Sequence, residues 1–366
     1  MTPIRTLLDA NNAAIVMRQR LKPVEGDHAV VFPPTFAEIG YNIDEFKDVD
    51  DRVTKNVCLM DSVGSQANRM EPIFKNDRYA ELVPRITITV KKNDGSAETV
   101  DILDAGHRIA DAVVRFSDLS QKIEEAFQEV KKGNAVPLAK LSPTSLVFGC
   151  WDSRSTGVKL PRIVRSTIRA LDVNKLTRSA TYVAAADFRD AGVLDEQDIQ
   201  ELETASEKKP AKASEVGLAN ALANKNPGGV LLDENSELLR EGVLSLSALR
   251  RLTGDNSDEA TASLRAYILG LALVAFTAPQ DTFLRMGCEL TPDPETSATW
   301  EVVRNDGTRT DFTVTHLDAL AFALEAARDF GVGESLTATF DPAAAKKALK
   351  DAKEKKDKKK ATRKGK

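Results

Sequence analysis

A chain of 366 residues with 42% apolar and 29% charged residues can bury one large core or two smaller ones, as a soluble globular protein does. Its most apolar stretch, Ala266–Ala278, is interrupted by Gly270. It is shorter than the roughly 20 residues a bilayer span needs, which argues for a buried helix and against a membrane anchor. The net charge of −4 conceals a division, because residues 343–366 hold 12 Lys/Arg against 3 Asp/Glu and leave −13 on residues 1–342.

In chain order, Met1–Ala14 lacks an apolar segment followed by a small-residue cleavage site, so no secretory leader is expected. Val30–Phe36 (VVFPPTF) sets Phe32 and Phe36 beside paired prolines, where the rings can wedge against nucleobases or fill a core. Asp61–Pro72 reads DSVGSQANRMEP. Ser65 can cap a helix whose apolar side is Ala67, Met70 and Phe74, leaving Gln66, Asn68 and Arg69 on other faces. Such an amide-and-arginine surface suits a sugar-phosphate backbone; a capped surface helix is the plainer alternative.

Arg85–Val90 and Glu98–Leu103 flank Asn93-Asp94-Gly95, a hairpin signal because that turn needs positive φ. Asp104, Arg108, Asp111 and Arg115 follow at helical offsets and predict a charge ladder; with His107 between them, a carboxylate-oriented base is the alternative. Asp118–Lys132 reads as a helix with Ile123, Phe127 and Val130 on one side.

Residues 144–165 read TSLVFGCWDSRSTGVKLPRIVR. Trp151–Ser179 carries 7 basic and 2 acidic residues inside an otherwise acidic body, which points to an anionic partner. Nucleophilic catalysis at Ser153 would need a base that the local sequence does not offer. Phosphate binding asks only for Arg forks, turn N–H groups and short hydroxyls. Ser153, Arg154, Ser155, Thr156, Gly157 and Lys159 supply those types in one loop, just after Trp151. Beyond Pro161, the arginines Arg162, Arg165 and Arg169 share one face if the segment is helical; if it is a strand, Arg165, Thr167 and Arg169 share one.

Thr204–Gly229, poor in large apolar residues, reads as a long surface insertion. Ser257–Thr277 is a further helix. Thr299–Val303 and Thr308–Val314 repeat the hairpin pattern around Asn305-Asp306-Gly307, and lead into a helix over His316–Phe330 that Gly331 stops. With a strand at Leu336–Phe340 the C-terminal region reads ββαβ, a fragment of a ferredoxin-like unit. The Lys-rich tail over 343–366 is expected to be disordered or a frayed helix. The expected class is α+β, one body over 1–342 with long insertions.

Metal and cofactor chemistry finds no foothold. His28, His107 and His316 sit in no ligand spacing, and Cys58, Cys150 and Cys288 are odd in number and far apart. They read as reduced core thiols of a cytoplasmic protein. No G-x-S-x-G, Walker-type or G-x-G-x-x-G pattern occurs.

Asp61–Pro72, Phe148–Arg162 (FGCWDSRSTGVKLPR), Ser214–Leu218 (SEVGL) and Gly228–Val230 (GGV) occur in an order that resembles one family. It is the Cas-seven branch of the repeat-associated mysterious proteins, the backbone subunit of the type I-G (formerly I-U) CRISPR Cascade effector complex. The resemblance runs over roughly residues 1–340. It implies an RRM-like palm elaborated by insertions, and a subunit that binds crRNA without sequence preference. Such subunits polymerise head to tail along the guide, meet other type I effector subunits, and leave bases free to pair with target DNA in antiviral defence. They use no metal. The residues implied to hold RNA are Ser65, Gln66, Asn68, Arg69, Trp151, Ser153, Arg154, Lys159, Arg162, Arg165 and Arg169. Related type III subunits cleave target RNA with a loop aspartate, so the competing expectation is an RNA-cleaving subunit using Asp61, Asp152 or His107. RRMs usually stack bases on sheet aromatics, and with 5% aromatic residues no such strand is apparent here. Contact through loops is expected instead.

Overall fold

The strand Asn12–Pro23 (β1) organises the molecule, and its alternation places Ile15, Met17 and Leu21 on a buried face and Arg18 and Arg20 on the other. The computed structural model of the chain describes residues 4–205, 211–255 and 257–364, and for 222–225 and 355–364 the backbone alone. Val53–Asp61 (β2), Val164–Leu171 (β3), Glu237–Ser245 (β4), Cys288–Pro292 (β5) and Thr299–Arg304 (β6) join β1 in one antiparallel sheet. Reading across it, β5 and β6 pair with the two halves of one edge of β1, β4 pairs with the other edge, then β3, then β2. Shorter strands at Ile43–Lys47, Phe283–Arg285 and Arg309–Asp311 complete nine.

Helices Val63–Met70 (α1), Asp258–Thr277 (α2) and His316–Phe330 (α3) form elements of the main body, α1 packing on β3 and α2 on α3 and β4. α2 is long and apolar enough to cross a membrane by composition, but Ala266–Phe276 is buried throughout, as a helix apolar on all sides must be. Gly270 lets α2 approach α3: a Cβ there would lie 2.8 Å from Ala323 Cα. The core falls into two apolar clusters. The larger gathers Ile15, Met17, Val164 and Leu244 with the helices; the smaller gathers Leu21, Met60, Ile168 and Ala170. All three cysteines are free and buried in them, and burial pushes Cys58 and Cys150 up to about 12.

Both expected hairpins form, with Gly95 and Gly307 at positive φ in the turns. The ββαβ reading of the C-terminus needs correction. Leu336–Thr339 pairs in parallel with Ile86–Lys91, in a separate sheet, and not with the hairpin that precedes α3. The reason is that β6 already spends its free edge on β1, whereas Ile86–Lys91 buries Ile86 and Ile88 and has an edge to fill.

The Thr204–Gly229 stretch is more structured than expected. Residues 206–210 lie outside the described residues, Lys212–Glu215 is helical, and Ala221–Leu231 returns as a strand along Asn174–Tyr182. Gly229 (φ 99°) lies so close to Val30 that a Cβ would sit 2.5 Å from its Cγ1, so Gly229 permits backbone approach to Val30–Val31, while Gly228 permits approach to Thr177, whose carbonyl carbon would lie 2.7 Å from a Cβ. Of the two expectations for the tail, the helix is the one described: Pro342–Lys364 is helical, as Ala, Lys and Glu favour, and the side chains described, up to residue 354, are largely exposed.

Candidate nucleic-acid interface

The basic loop hangs from a two-stranded clip, Cys150–Trp151 against Lys159–Leu160. Asp152 builds the turn between them. Its carboxylate accepts from the backbone N–H of Ser155 (3.2 Å) and Thr156 (2.7 Å) and from the Thr156 hydroxyl (2.7 Å), while Gly157 N–H donates to its carbonyl. Burial alone would raise Asp152, but the Thr156 donors outweigh it and hold the carboxyl below the usual range. The turn itself satisfies this side chain, which is 8% exposed and makes no ion pair among the described residues.

With Asp152 turned inward, Trp151, Ser153, Arg154 and Lys159 face out. Trp151 is 59% exposed, and the Lys159 ammonium lies 5.4 Å from its ring centroid. A buried ion pair props the loop from behind. Arg108 Nε donates to Glu71 at 2.6 Å, another guanidinium nitrogen donates to the Gly149 carbonyl at 3.2 Å, and the group lies over the Phe148 ring. Arg108 holds a left-handed conformation (φ 54°) to do so, an uncommon state for a non-glycine residue. The predicted ladder through Asp104, Arg108, Asp111 and Arg115 does not form, because two 3₁₀ turns and a short helix replace a continuous one. Asp104 pairs with Lys75, and Arg115 donates to the Arg154 carbonyl. His107 is exposed at the start of one of those turns, and its backbone N–H donates to Asp111 at 3.4 Å.

After Pro161 the chain is a strand. Arg165, Thr167 and Arg169 share the solvent side of β3, while Val164, Ser166, Ile168 and Ala170 face inward. Arg169 is held by Thr167 (2.9 Å) and Glu241 (3.5 Å). Arg154, Arg162 and Arg165 have no ion pair among the described residues. Partial burial and the nearby Arg108 charge lower Arg162. Elsewhere on this side of the sheet the charges cancel, with Arg18 beside Glu241 and Glu301, and Arg20 beside Glu237. β1, β3 and β4 place no aromatic ring there.

The Asp61–Pro72 segment is rearranged relative to expectation. Ser62, not Ser65, caps α1, accepting from the Ser65 N–H at 3.2 Å. Gln66 is buried, donating to Asp61 at 2.7 Å and accepting from the Ser166 hydroxyl at 2.9 Å. Arg69 donates to Asp61 (3.1 Å) and to the carbonyls of Leu284 (2.7 Å) and Phe283 (3.3 Å). Gln66 and Arg69 thus stitch the two core clusters together and are withdrawn from any strand passing outside. Asn68 and the half-buried Ser65 keep their side chains clear of these bonds. Asp61 is 1% exposed and also accepts from Arg285 at 3.2 Å. Phe32 is half-buried under Arg178, whereas Phe36 is 40% exposed.

Sequence reasoning missed Arg240 and Arg285. A signal for Arg240 was present: the alternation ELLREGVLS puts it on the parity of Leu238 and Leu244, the buried side.

No curated protein matches the chain. Among solved structures, the crystal structure of Thermofilum pendens Csc2 covers 96% of this chain and 78% of its own, at 11% identity and a TM-score of 0.29, too loose a likeness to bear on fold or function. Residues 15–175 match the family described as CRISPR-associated protein GSU0053. That span holds β1 from Ile15 onward, Asp61 with its helix, the Asp152 loop and all of β3. The matched stretch is a little under half of the chain and carries two of the motifs, Asp61–Pro72 and Phe148–Arg162, on which the sequence resemblance rests.

Proposed function

We propose that the chain is a non-catalytic backbone subunit of a type I-G CRISPR effector complex. In this reading it works in the cytoplasm, binds crRNA through its sugar-phosphate backbone and polymerises along it, leaving the guide free to pair with target DNA. The observation that carries the reading is the exposed set Trp151, Ser153, Arg154, Lys159, Arg162 and Arg165, inside the family-matched span and largely without counter-ions. Arg169 and Asn68 lie within the same matched region. A backbone binder needs phosphate contacts and a ring on which any base can stack, and no base-edge readout.

The connectivity supports an RRM-like, ferredoxin-type palm. β3 runs parallel to β1 with β4 between them, helical segments connect β1 to β3, and α2 carries the chain from β4 to the far edge of β1. The long ribbon Asn174–Tyr182 with Ala221–Leu231 leaves this palm between β3 and β4. Such a projection suits a head-to-tail, non-closing contact with the next copy. Light scattering with single-stranded RNAs of increasing length tests this: mass should rise in steps of whole subunits. A closed oligomer indifferent to RNA length would end the backbone assignment.

The RNA-cleaving alternative has Asp61 and Asp152 as its carboxylates, and both are consumed by internal hydrogen bonds. Asp152→Asn is expected to leave RNA intact, as in the wild type, and to loosen the loop, seen as weaker RNA binding by about threefold to tenfold as hydrogen bonds worth about 1 kcal/mol are lost. Metal-dependent cleavage by the wild type that the variant lacks would favour the nuclease.

A further inference from the structure

On the buried side of β1 and β4, under the segment that follows α2, lies a cavity of about 330 Å³. Its wall includes the rings of Phe276 and Trp300, which meet edge to face at 4.9 Å, and the polar side chains Gln19, Gln66, Arg69 and Arg240. Arg240 is 7% exposed. Its Nε donates to the Ser166 hydroxyl at 3.3 Å, and its Nη2 has no protein partner. The nearby buried carboxylate, Asp61, is already shared by Arg69 (3.1 Å) and Arg285 (3.2 Å), and Arg285 Nη1 is also without a partner. Two guanidinium groups thus share one carboxylate, and Arg240 makes no ion pair among the described residues; the cavity's own carboxylate, Asp281, is exposed and accepts from the Phe283 N–H at 2.9 Å. Burial lowers Arg240 to about 10, which still leaves it charged at neutral pH. A buried cation is costly unless an anion answers it.

We propose that this cavity binds a nucleoside monophosphate, its phosphoryl oxygens on Arg240 and its base beside Phe276 and Trp300. Arg presents a planar fork that matches two phosphoryl oxygens. A lone inorganic phosphate would leave the aromatic wall and most of the volume unused, while the volume falls within the range of small-ligand sites. The same chemistry is offered by a free mononucleotide and by the 5′-phosphorylated end of a strand. The site is separate from the exposed loop: the loop's arginines face solvent, whereas Arg240 faces the interior.

Calorimetric titration of the full chain with AMP, adenosine and inorganic phosphate tests this. AMP should bind saturably, with adenosine at least tenfold weaker and inorganic phosphate weaker than AMP. Arg240→Met keeps an unbranched side chain, removes the charge, and should weaken AMP at least tenfold. Gln19 sits directly across from Arg240 in the β1–β4 register, so Gln19→Glu places a carboxylate where the phosphate belongs. It should abolish AMP binding while raising Tm, and it decides the matter if Arg240→Met does not fold. Competition of AMP by a 5′-phosphorylated oligoribonucleotide, and not by its 5′-hydroxyl twin, identifies the strand end as the natural ligand; AMP binding without such competition identifies the free nucleotide. Equal affinity for AMP and adenosine, no AMP binding at all, or unchanged AMP affinity in Gln19→Glu would overturn the proposal.

Discussion

Asp61→Ala is expected to destabilise the fold by about 3–5 kcal/mol, because it leaves buried arginines without their carboxylate. Asp61 is 1% exposed and receives Gln66, Arg69 and Arg285 at 2.7, 3.1 and 3.2 Å. Those donors come from α1 and from the strand at Phe283–Arg285, and Gln66 passes the network on to Ser166 of β3. The carboxylate therefore ties together elements distant in sequence, at the seam between the two apolar clusters. Denaturant unfolding should show a lower midpoint, and Asp61→Asn, which keeps the shape but not the charge, should fall between the two. A nuclease would behave differently: its catalytic aspartate could be removed with the fold intact and cleavage lost. Wild-type stability in Asp61→Ala would sink the structural reading of this residue.

How much of this was legible in the sequence depends on the range of the interaction that fixes each feature. The helices Asp258–Thr277 and His316–Phe330 and both Asn-Asp-Gly hairpins are set by local periodicity and turn chemistry, and they appear where the pattern puts them. The pairing of Leu336–Thr339 with Ile86–Lys91 joins segments far apart in the chain, and no local pattern announces it. The same distinction runs through the site. Alternation placed Arg165, Thr167 and Arg169 on one face as soon as the segment was a strand. Whether an arginine is free or spent is a tertiary fact: Arg69 is spent on Asp61 and on carbonyls some 215 positions away, while Arg165 is not. An exposed-looking QANR motif could therefore be read as an RNA face when two of its four side chains point into a seam. Asp152 carries the same lesson, because a turn's own N–H groups can satisfy a carboxylate amid basic neighbours.

Reversing Arg154, Lys159, Arg162 and Arg165 to Glu together should lower affinity for single-stranded RNA by about three orders of magnitude near 0.1 M salt. The figure follows from counter-ion release: each single-strand phosphate contact contributes about 0.7 to the slope of log K against log salt, so four contribute about 2.8. Four introduced carboxylates add repulsion to that loss. The fold should tolerate the change. All four side chains are exposed, none makes an ion pair among the described residues, and surface substitutions of this kind usually stay within about 0.5 kcal/mol each. Lys159 alone gives up a contact, its place over Trp151. The measurement is a salt series of RNA titrations by fluorescence anisotropy, with circular dichroism to confirm that the variant is folded. The same chain ending at Asp341 provides the necessary contrast, because the helix Pro342–Lys364 is rich in lysine and its side chains up to residue 354 are largely exposed. Charges on such a segment act on any polyanion and are screened within a Debye length of about 8 Å at physiological salt, so their removal should matter at low salt and little at 0.15 M. If instead the folded quadruple variant keeps its salt slope and the truncated chain loses it, the RNA is held by the tail helix and the loop assignment is wrong.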